Sequence, residues 1–181
     1  MNLTNKVVWI TGASSGIGEA LAHEFAKEGA KLVLSARRLE ELERVKRELS
    51  LPENAVMTLP IDMLCPEEFA AKTQSVLAHF GRIDLLVPNA GVSQREKFLD
   101  IAPADFKRLM DTNFTNLVLL TREVLPHLLA QKSGGILVTS SVSGKIGTSF
   151  RTFYSASKHA IQGFFDSLRG EVWQEGVQVT I

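Results

Sequence analysis

The sequence predicts an α/β fold: a single domain built as a doubly wound parallel sheet with helices on both faces. Three observations carry this. A length of 181 residues suits one domain. Short runs of aliphatic and β-branched residues recur along the chain, and they are nearly continuous in apolar character rather than alternating, as strands covered on both faces are. Amphipathic stretches of helical period separate them, so strand and helix take turns and neighbouring strands run parallel. No internal repeat, low-complexity tract or Pro/Gly-rich linker divides residues 1–181.

Val7 to Ile10 is the first strand. A glycine-rich turn, Gly12 to Gly18, opens a helix whose stripe is Ile17, Leu21 and Phe25. Lys31 to Ser35 is the second strand. From about Leu39 to Leu49 a helix carries both signs of charge, with Leu39, Leu42, Val45 and Leu49 expected inside and the charges on a solvated face with i,i+4 pairs. Val56 to Ile61 is the third strand, and the helix from about Pro66 to Phe80 sets Phe69, Val76 and Phe80 on one face. Ile83 to Val87 is the fourth strand. A long helix follows from about Pro103 to Ala130, with its stripe at Phe106, Met110, Leu117, Leu120 and Val124. Gly134-Gly135 turns into the fifth strand, Ile136 to Thr139. The helix from Phe153 to Glu175 has its stripe at Ile161, Phe165, Leu168 and Val172, and Val177 to Ile181 begins a sixth strand.

Composition narrows the function classes. Hydrophobic residues make up 45% and charged residues 22%, and 20 basic residues balance 20 acidic ones. Without a basic excess, neither nucleic acid nor an anionic membrane is expected as a partner. The first apolar run is too short to span a membrane. One cysteine, Cys65, permits no intrachain disulfide, which fits a reducing, cytoplasmic setting. His23, His79, His127 and His159 are scattered, and no metal-ligand spacing stands out.

The turn Thr11-Gly12-Ala13-Ser14-Ser15-Gly16-Ile17-Gly18 lies between the first strand and the first helix. Glycines allow positive φ and close approach of a ligand, and a helix start offers free N–H groups with partial positive charge. Together they make a pyrophosphate cradle of the kind dinucleotide sites place at their first βα turn. A P-loop is excluded, because Glu19-Ala20 follows the last glycine instead of Lys-Ser/Thr. An NAD site ends its second strand on an acid that bonds the ribose 2′-hydroxyl. Here that strand ends Ser35-Ala36-Arg37-Arg38, and two guanidinium groups suit a 2′-phosphate. NADP(H) is therefore the expected cofactor. Ser14 and Ser15 can add hydroxyls to the phosphate.

Two apolar stripes carry polar residues. Continued backwards, the last helix's stripe reaches Lys158 and Tyr154, an i,i+4 pair able to share one cavity. Lysine is rarely buried unless it is paired; the alternative is a frayed helix start that lets Lys158 reach solvent. In the long helix, Asn113 stands where an apolar residue belongs, as a satisfied core asparagine or a functional group. Ser141, thirteen residues before Tyr154, closes the fifth strand, a place where serine also caps turns.

On these residues the chain resembles the short-chain dehydrogenase/reductase family. The family's T-G-x-x-x-G-x-G stands at Thr11 to Gly18, its N-A-G at Asn89-Ala90-Gly91, and its Ser…Tyr-x-x-x-Lys at Ser141, Tyr154 and Lys158, with Asn113 as the fourth member. The resemblance covers the whole chain. It implies a Rossmann-like dinucleotide-binding and catalytic domain over residues 1–181 and hydride exchange between NADP(H) and a small carbonyl or alcohol. Gly12, Ser14, Ser15, Gly16, Ile17, Gly18, Arg37, Arg38, Asp62, Asn89, Ala90, Gly91, Tyr154 and Lys158 are the expected cofactor contacts, with Asp62 toward the adenine amino group or in an Asx turn. A free tyrosine, with a pKa of about 10, is a poor base at pH 7. A lysine ammonium about 4 Å from a phenolate attracts it by on the order of 4 kcal/mol at an effective dielectric of about 20, enough to bring such a hydroxyl toward neutrality. Tyr154 is thus the expected acid/base, Ser141 the bond to the substrate oxygen, Lys158 the ribose anchor, and Asn113 the holder of a relay water. The resemblance further implies a homodimer or homotetramer. A catalytically silent NADP-binding scaffold is the alternative. Two departures stand out. Pro88 replaces the family's first Asn and donates no N–H to the sheet. Family members run to about 250 residues, so this chain is expected to stop within the sixth strand, before the segment that selects substrate.

Overall fold

A computed structural model describes residues 2–181. The elements alternate as expected: β1 (Val7–Thr11), α1 (Gly16–Lys27), β2 (Lys31–Ser35), α2 (Leu39–Glu48), β3 (Val56–Thr58), α3 (Phe69–Phe80), β4 (Leu85–Val87), α4 (Pro103–Met110), α5 (Asn116–Gln131), β5 (Gly135–Leu137), α6 (Thr152–Val172) and β6 (Gln178–Thr180). All six strands are parallel, in the order β3-β2-β1-β4-β5-β6. The order reverses between β1 and β4, and such a switch point opens a crevice at the strands' carboxyl ends.

Successive residues of β1 serve opposite faces. Trp9 joins Leu86 and Ile136 beneath Phe69 and Val76 of α3, Leu117 and Leu120 of α5, and Ile161 and Phe165 of α6. Val8 and Ile10 join Leu32 and Leu34 beneath Ala22 of α1 and Leu42 and Val45 of α2. The Trp9 indole N–H, fully buried, donates to Ser35 Oγ at 2.9 Å, as a buried indole must.

Several expected boundaries and faces are corrected. β3 ends at Thr58, although the Leu59 and Ile61 N–H groups still donate to the Leu34 and Ala36 carbonyls; β3 is the edge strand, so Pro60, between them, faces outward and removes no ladder bond. Pro88 costs the sheet little: β4 has already ended, and the Pro88 carbonyl accepts from Thr139 N–H at 3.1 Å. The helix at 66–80 begins with a 3₁₀ turn, Pro66–Glu68, and Trp173–Glu175 is a 3₁₀ turn beyond α6. The long helix at 103–130 is α4 and α5 joined by a π turn, Asp111–Thr115. Leu109, not Phe106 or Met110, is buried in α4, because Phe106 packs outward on the Phe153 ring at 4.1 Å. Leu39 is exposed at the start of α2. Among the described residues no helix is long and apolar enough to cross a membrane.

Candidate active site

The glycine turn and the end of β4 are stitched together. The Thr11 hydroxyl accepts from the N–H groups of Asn89 (3.0 Å) and Ala90 (3.1 Å). Asn89 Nδ2 donates to the Thr11 carbonyl at 3.1 Å, and its Oδ1 accepts from the Thr139 hydroxyl at 3.0 Å, so one side chain joins the ends of β1, β4 and β5. The glycines of the turn have different physical reasons. Gly16 takes φ +59° and nothing lies within 4 Å of where a Cβ would stand, which leaves space beside its backbone. A Cβ on Gly18 would overlap the Gly12 carbonyl oxygen and stand 2.6 Å from Asn89 Nδ2, so turn and helix close only over hydrogen. Ser15 is the N-cap residue of α1, yet its hydroxyl makes no capping bond.

Above the carboxyl ends of β1 and β4 lies a cleft of about 490 Å³. Its floor is Gly12, Ser14, Ser15 and Ile17 on one side and Asn89, Ala90 and Gly91 on the other. Arg37 and Arg38 form one end; both are exposed, and neither guanidinium makes a hydrogen bond or ion pair among the described residues. Asp62 lines the same end and accepts from Leu64 N–H at 2.9 Å, so the Asx turn is present alongside its place in the cleft. Tyr154, Lys158, Thr139 and Ser140 line the other end.

Lys158 is 4% exposed, and its ammonium donates to the Thr139 carbonyl at 2.9 Å. Among the described residues no carboxylate pairs with it. Burial alone lowers its pKa to about 8. The Lys158 Nζ lies 6.0 Å from the Tyr154 ring centroid, and the Arg151 guanidinium lies 5.5 Å from it, so two cations flank the tyrosine. Arg151 in turn donates to Ser93 Oγ at 2.9 Å.

Ser141 and Asn113 stand just outside the cleft lining. Ser141 caps the 3₁₀ turn Val142–Gly144: its Oγ accepts from Ser143 N–H at 3.1 Å, which leaves its hydroxyl proton uncommitted. That turn presses on α6, since a Cβ on Gly144 would stand 2.7 Å from the Lys158 carbonyl oxygen. Asn113 is fully buried in the π turn. Its Oδ1 accepts from Val92 N–H (2.7 Å), while its Nδ2 donates to the Val92 carbonyl (2.9 Å) and to Ser157 Oγ (3.2 Å). Ser157 passes the chain on to the Tyr154 carbonyl at 2.7 Å. The Asn113 amide therefore ties the segment after Gly91 to α6, and its side chain has little capacity left for a water.

The sequence reading misses three contributors. Thr11 reads only as the head of the glycine motif, with no role for its hydroxyl, and nothing in the pattern singles out Arg151. Arg44 reads as part of a solvated face, yet it reaches the glycine turn at the Ser14 carbonyl, 3.2 Å away. Composition and periodicity carry no signal for this reach, because Glu19 and Ser14 lie outside α2.

Comparison with known proteins agrees with this geometry. A family model described as short chain dehydrogenase matches residues 6–181. The chain is 47% identical over 174 residues to the Homo sapiens protein "Dehydrogenase/reductase SDR family member 7", a match covering 94% of this chain and 51% of that protein. It is 40% identical over 183 residues to "Dehydrogenase/reductase SDR family member 7B" of Bos taurus, covering 98% and 56%. The chain thus spans about half the length of the curated relatives it matches. Among solved structures, a metagenomic short-chain oxidoreductase in complex with NADP superposes with a TM-score of 0.93 at 35% identity, over 99% of this chain and 81% of the other. A short-chain dehydrogenase/reductase from Burkholderia phymatum in complex with NAD superposes with a TM-score of 0.92 at 29% identity, over 99% and 64%.

Proposed function

The chain belongs to the short-chain dehydrogenase/reductase family, and from that premise we propose that it carries the cofactor-binding and catalytic part of an NADP(H)-dependent oxidoreductase acting on a carbonyl or alcohol. The observation that carries the reading is the buried, unpaired Lys158 ammonium in the cleft wall, four residues from Tyr154. An uncompensated cation there costs stability, and the site gives it a use.

The residues present fit a dinucleotide. Gly16 leaves room beside its backbone, the Ser15 hydroxyl is uncommitted at a helix start, and Arg37 and Arg38 are unpaired where a 2′-phosphate would lie. Ser14, Ser15 and the first turn of α1 would hold the phosphates, and Lys158 would anchor the nicotinamide ribose. Bound, the nicotinamide supplies or accepts the hydride. Tyr154 exchanges the proton of the substrate oxygen, and the Ser141 hydroxyl donates to that oxygen. Lys158 and Arg151 place two positive charges beside the Tyr154 ring. Asn113 holds the Val92 segment and, through Ser157, the start of α6; any relay water would be held by backbone groups of the π turn. A homodimer or homotetramer is the expected assembly, read by sedimentation.

The test is NADPH oxidation against a panel of aldehydes and ketones. Tyr154→Phe is expected to lower kcat/KM by about 100-fold or more at unchanged melting temperature. Retention of most turnover overturns the acid/base assignment. NADPH is expected to exceed NADH in kcat/KM by at least about tenfold, a difference of about 1.4 kcal/mol; equal values overturn the cofactor assignment. Cofactor binding without turnover in any assay would favour the silent scaffold.

A further inference from the structure

Arg44 stands in the middle of α2, and its guanidinium is committed to fixed partners. Nε donates to Glu41 at 3.0 Å. Nη1 donates to Glu19 and to Glu48, each at 2.9 Å. Nη2 donates to Glu19 at 3.1 Å and to the Ser14 carbonyl at 3.2 Å. Both Nη atoms therefore grip Glu19 as a fork, a geometry open to arginine and closed to lysine. Glu41 and Glu48 are its own helix neighbours, but Glu19 lies in the first turn of α1 and Ser14 in the glycine turn. Among the described residues, Arg44 is the only α2 side chain hydrogen-bonded to the glycine turn or to the first turn of α1.

The clamp sits between two halves of one site. Ser14 and Ser15 line the cleft on the glycine turn; Arg37 and Arg38 line it at the end of β2, and Arg38 is the N-cap residue of α2. These halves belong to separate elements. A phosphate bound by both is recognised only if their separation is fixed, since hydrogen bonds weaken steeply with distance and angle. Three carboxylates surround the Arg44 guanidinium, and His23 Nε2 lies 3.8 Å from Glu48. Arg44 is thus already neutralised and does not itself compete for the phosphate.

We propose that Arg44 is a positioning residue for cofactor specificity: it locks the Ser14 backbone to α2 and so fixes the serine hydroxyls against the Arg37–Arg38 pair for recognition of the cofactor's 2′-phosphate. The inference rests on the NADP(H) reading above. It predicts an effect on discrimination rather than on chemistry, because Arg44 touches neither Tyr154 nor Lys158.

The test uses Arg44→Met and Arg44→Lys. The readouts are KM and kcat with NADPH and with NADH, competition by 2′,5′-ADP and by 5′-ADP, and thermal melting. Arg44→Met is expected to raise KM for NADPH about tenfold, with KM for NADH and both kcat values within twofold. It should also weaken 2′,5′-ADP selectively. Arg44→Lys should restore only part of the preference, because it has one charge and no fork; if Arg44→Met does not fold, this partial loss in Arg44→Lys is the deciding measurement. A wild type that does not discriminate the cofactors overturns the NADP(H) reading and this role with it. A wild type that discriminates, with the ratio unchanged in both variants or with both cofactors weakened equally, overturns the Arg44 role alone.

Discussion

Burying the Lys158 ammonium costs the folded chain stability. A fall from 10.5 to about 8 corresponds to about 3 kcal/mol. Below pH 8 the folded and unfolded forms both carry the proton, so the cost stands in full. Between pH 8 and 10.5 the unfolded chain binds more protons than the folded one, and this group makes stability rise with pH. Lys158→Met is therefore expected to be inactive yet more stable than the parent at pH 7, by about 1–2 kcal/mol once the lost bond to the Thr139 carbonyl is deducted. Denaturant melts at pH 7 and pH 10 check both the sign and the shrinking advantage. This residue was legible in the sequence because helical periodicity places Lys158 and Tyr154 on a buried stripe. Arg44 was not, because a charge on an amphipathic helix looks the same whether it meets water or a neighbouring loop.

At the scale of elements, the glycine turn separates two roles that the motif writes identically. Gly18→Ala forces a Cβ into the Gly12 carbonyl and the Asn89 amide, and should cost roughly 2–4 kcal/mol of stability. Gly16→Ala meets no neighbour and should cost about 1 kcal/mol through its positive φ alone, while weakening NADPH affinity by at least tenfold. Melts and titrations on both variants distinguish the roles. The π turn is the second informative element. Asn113→Leu keeps an apolar volume but strips the Val92 N–H and carbonyl of their partners, for an expected loss of about 2 kcal/mol. Hydrogen exchange at Val92 should accelerate together with that loss. The polar residue on the stripe was visible in the sequence. The break in the helix was not, since Asp111 to Thr115 contains neither Gly nor Pro to announce it.

For the whole molecule, alternation of apolar runs with amphipathic stretches was sufficient to read the parallel sheet, and residue types at strand ends to read the cleft. What escaped was set by contacts between distant elements: where ladders stop, and which face α4 buries. Asp84 shows such contacts at the end of the sheet opposite the cleft. Burial would raise its carboxyl, but the Val7 N–H, Arg82 and Lys6 outweigh that and hold it below its ordinary value. Its contribution is then present above about pH 4 and is lost as pH falls through the lower folded value. Asp84→Asn should destabilise by roughly 3 kcal/mol near neutrality and flatten the acid limb of the stability curve, measured by denaturation from pH 7 to pH 2.

The order β3-β2-β1-β4-β5-β6 has a kinetic side as well. β1 meets β2 across one short crossover, but it meets β4 only after two further βα units have been made, and Thr11 pairs with Asn89 at a separation of 78 residues. Closing so long a loop is entropically costly, so the two halves are expected to form separately and dock late. Thr11→Val, which cuts the stitch at that seam, should then quicken unfolding while leaving the refolding rate nearly unchanged. A cleft placed along the last joint to close is also the first place to part, and a ligand that bridges it would act as the molecule's latch.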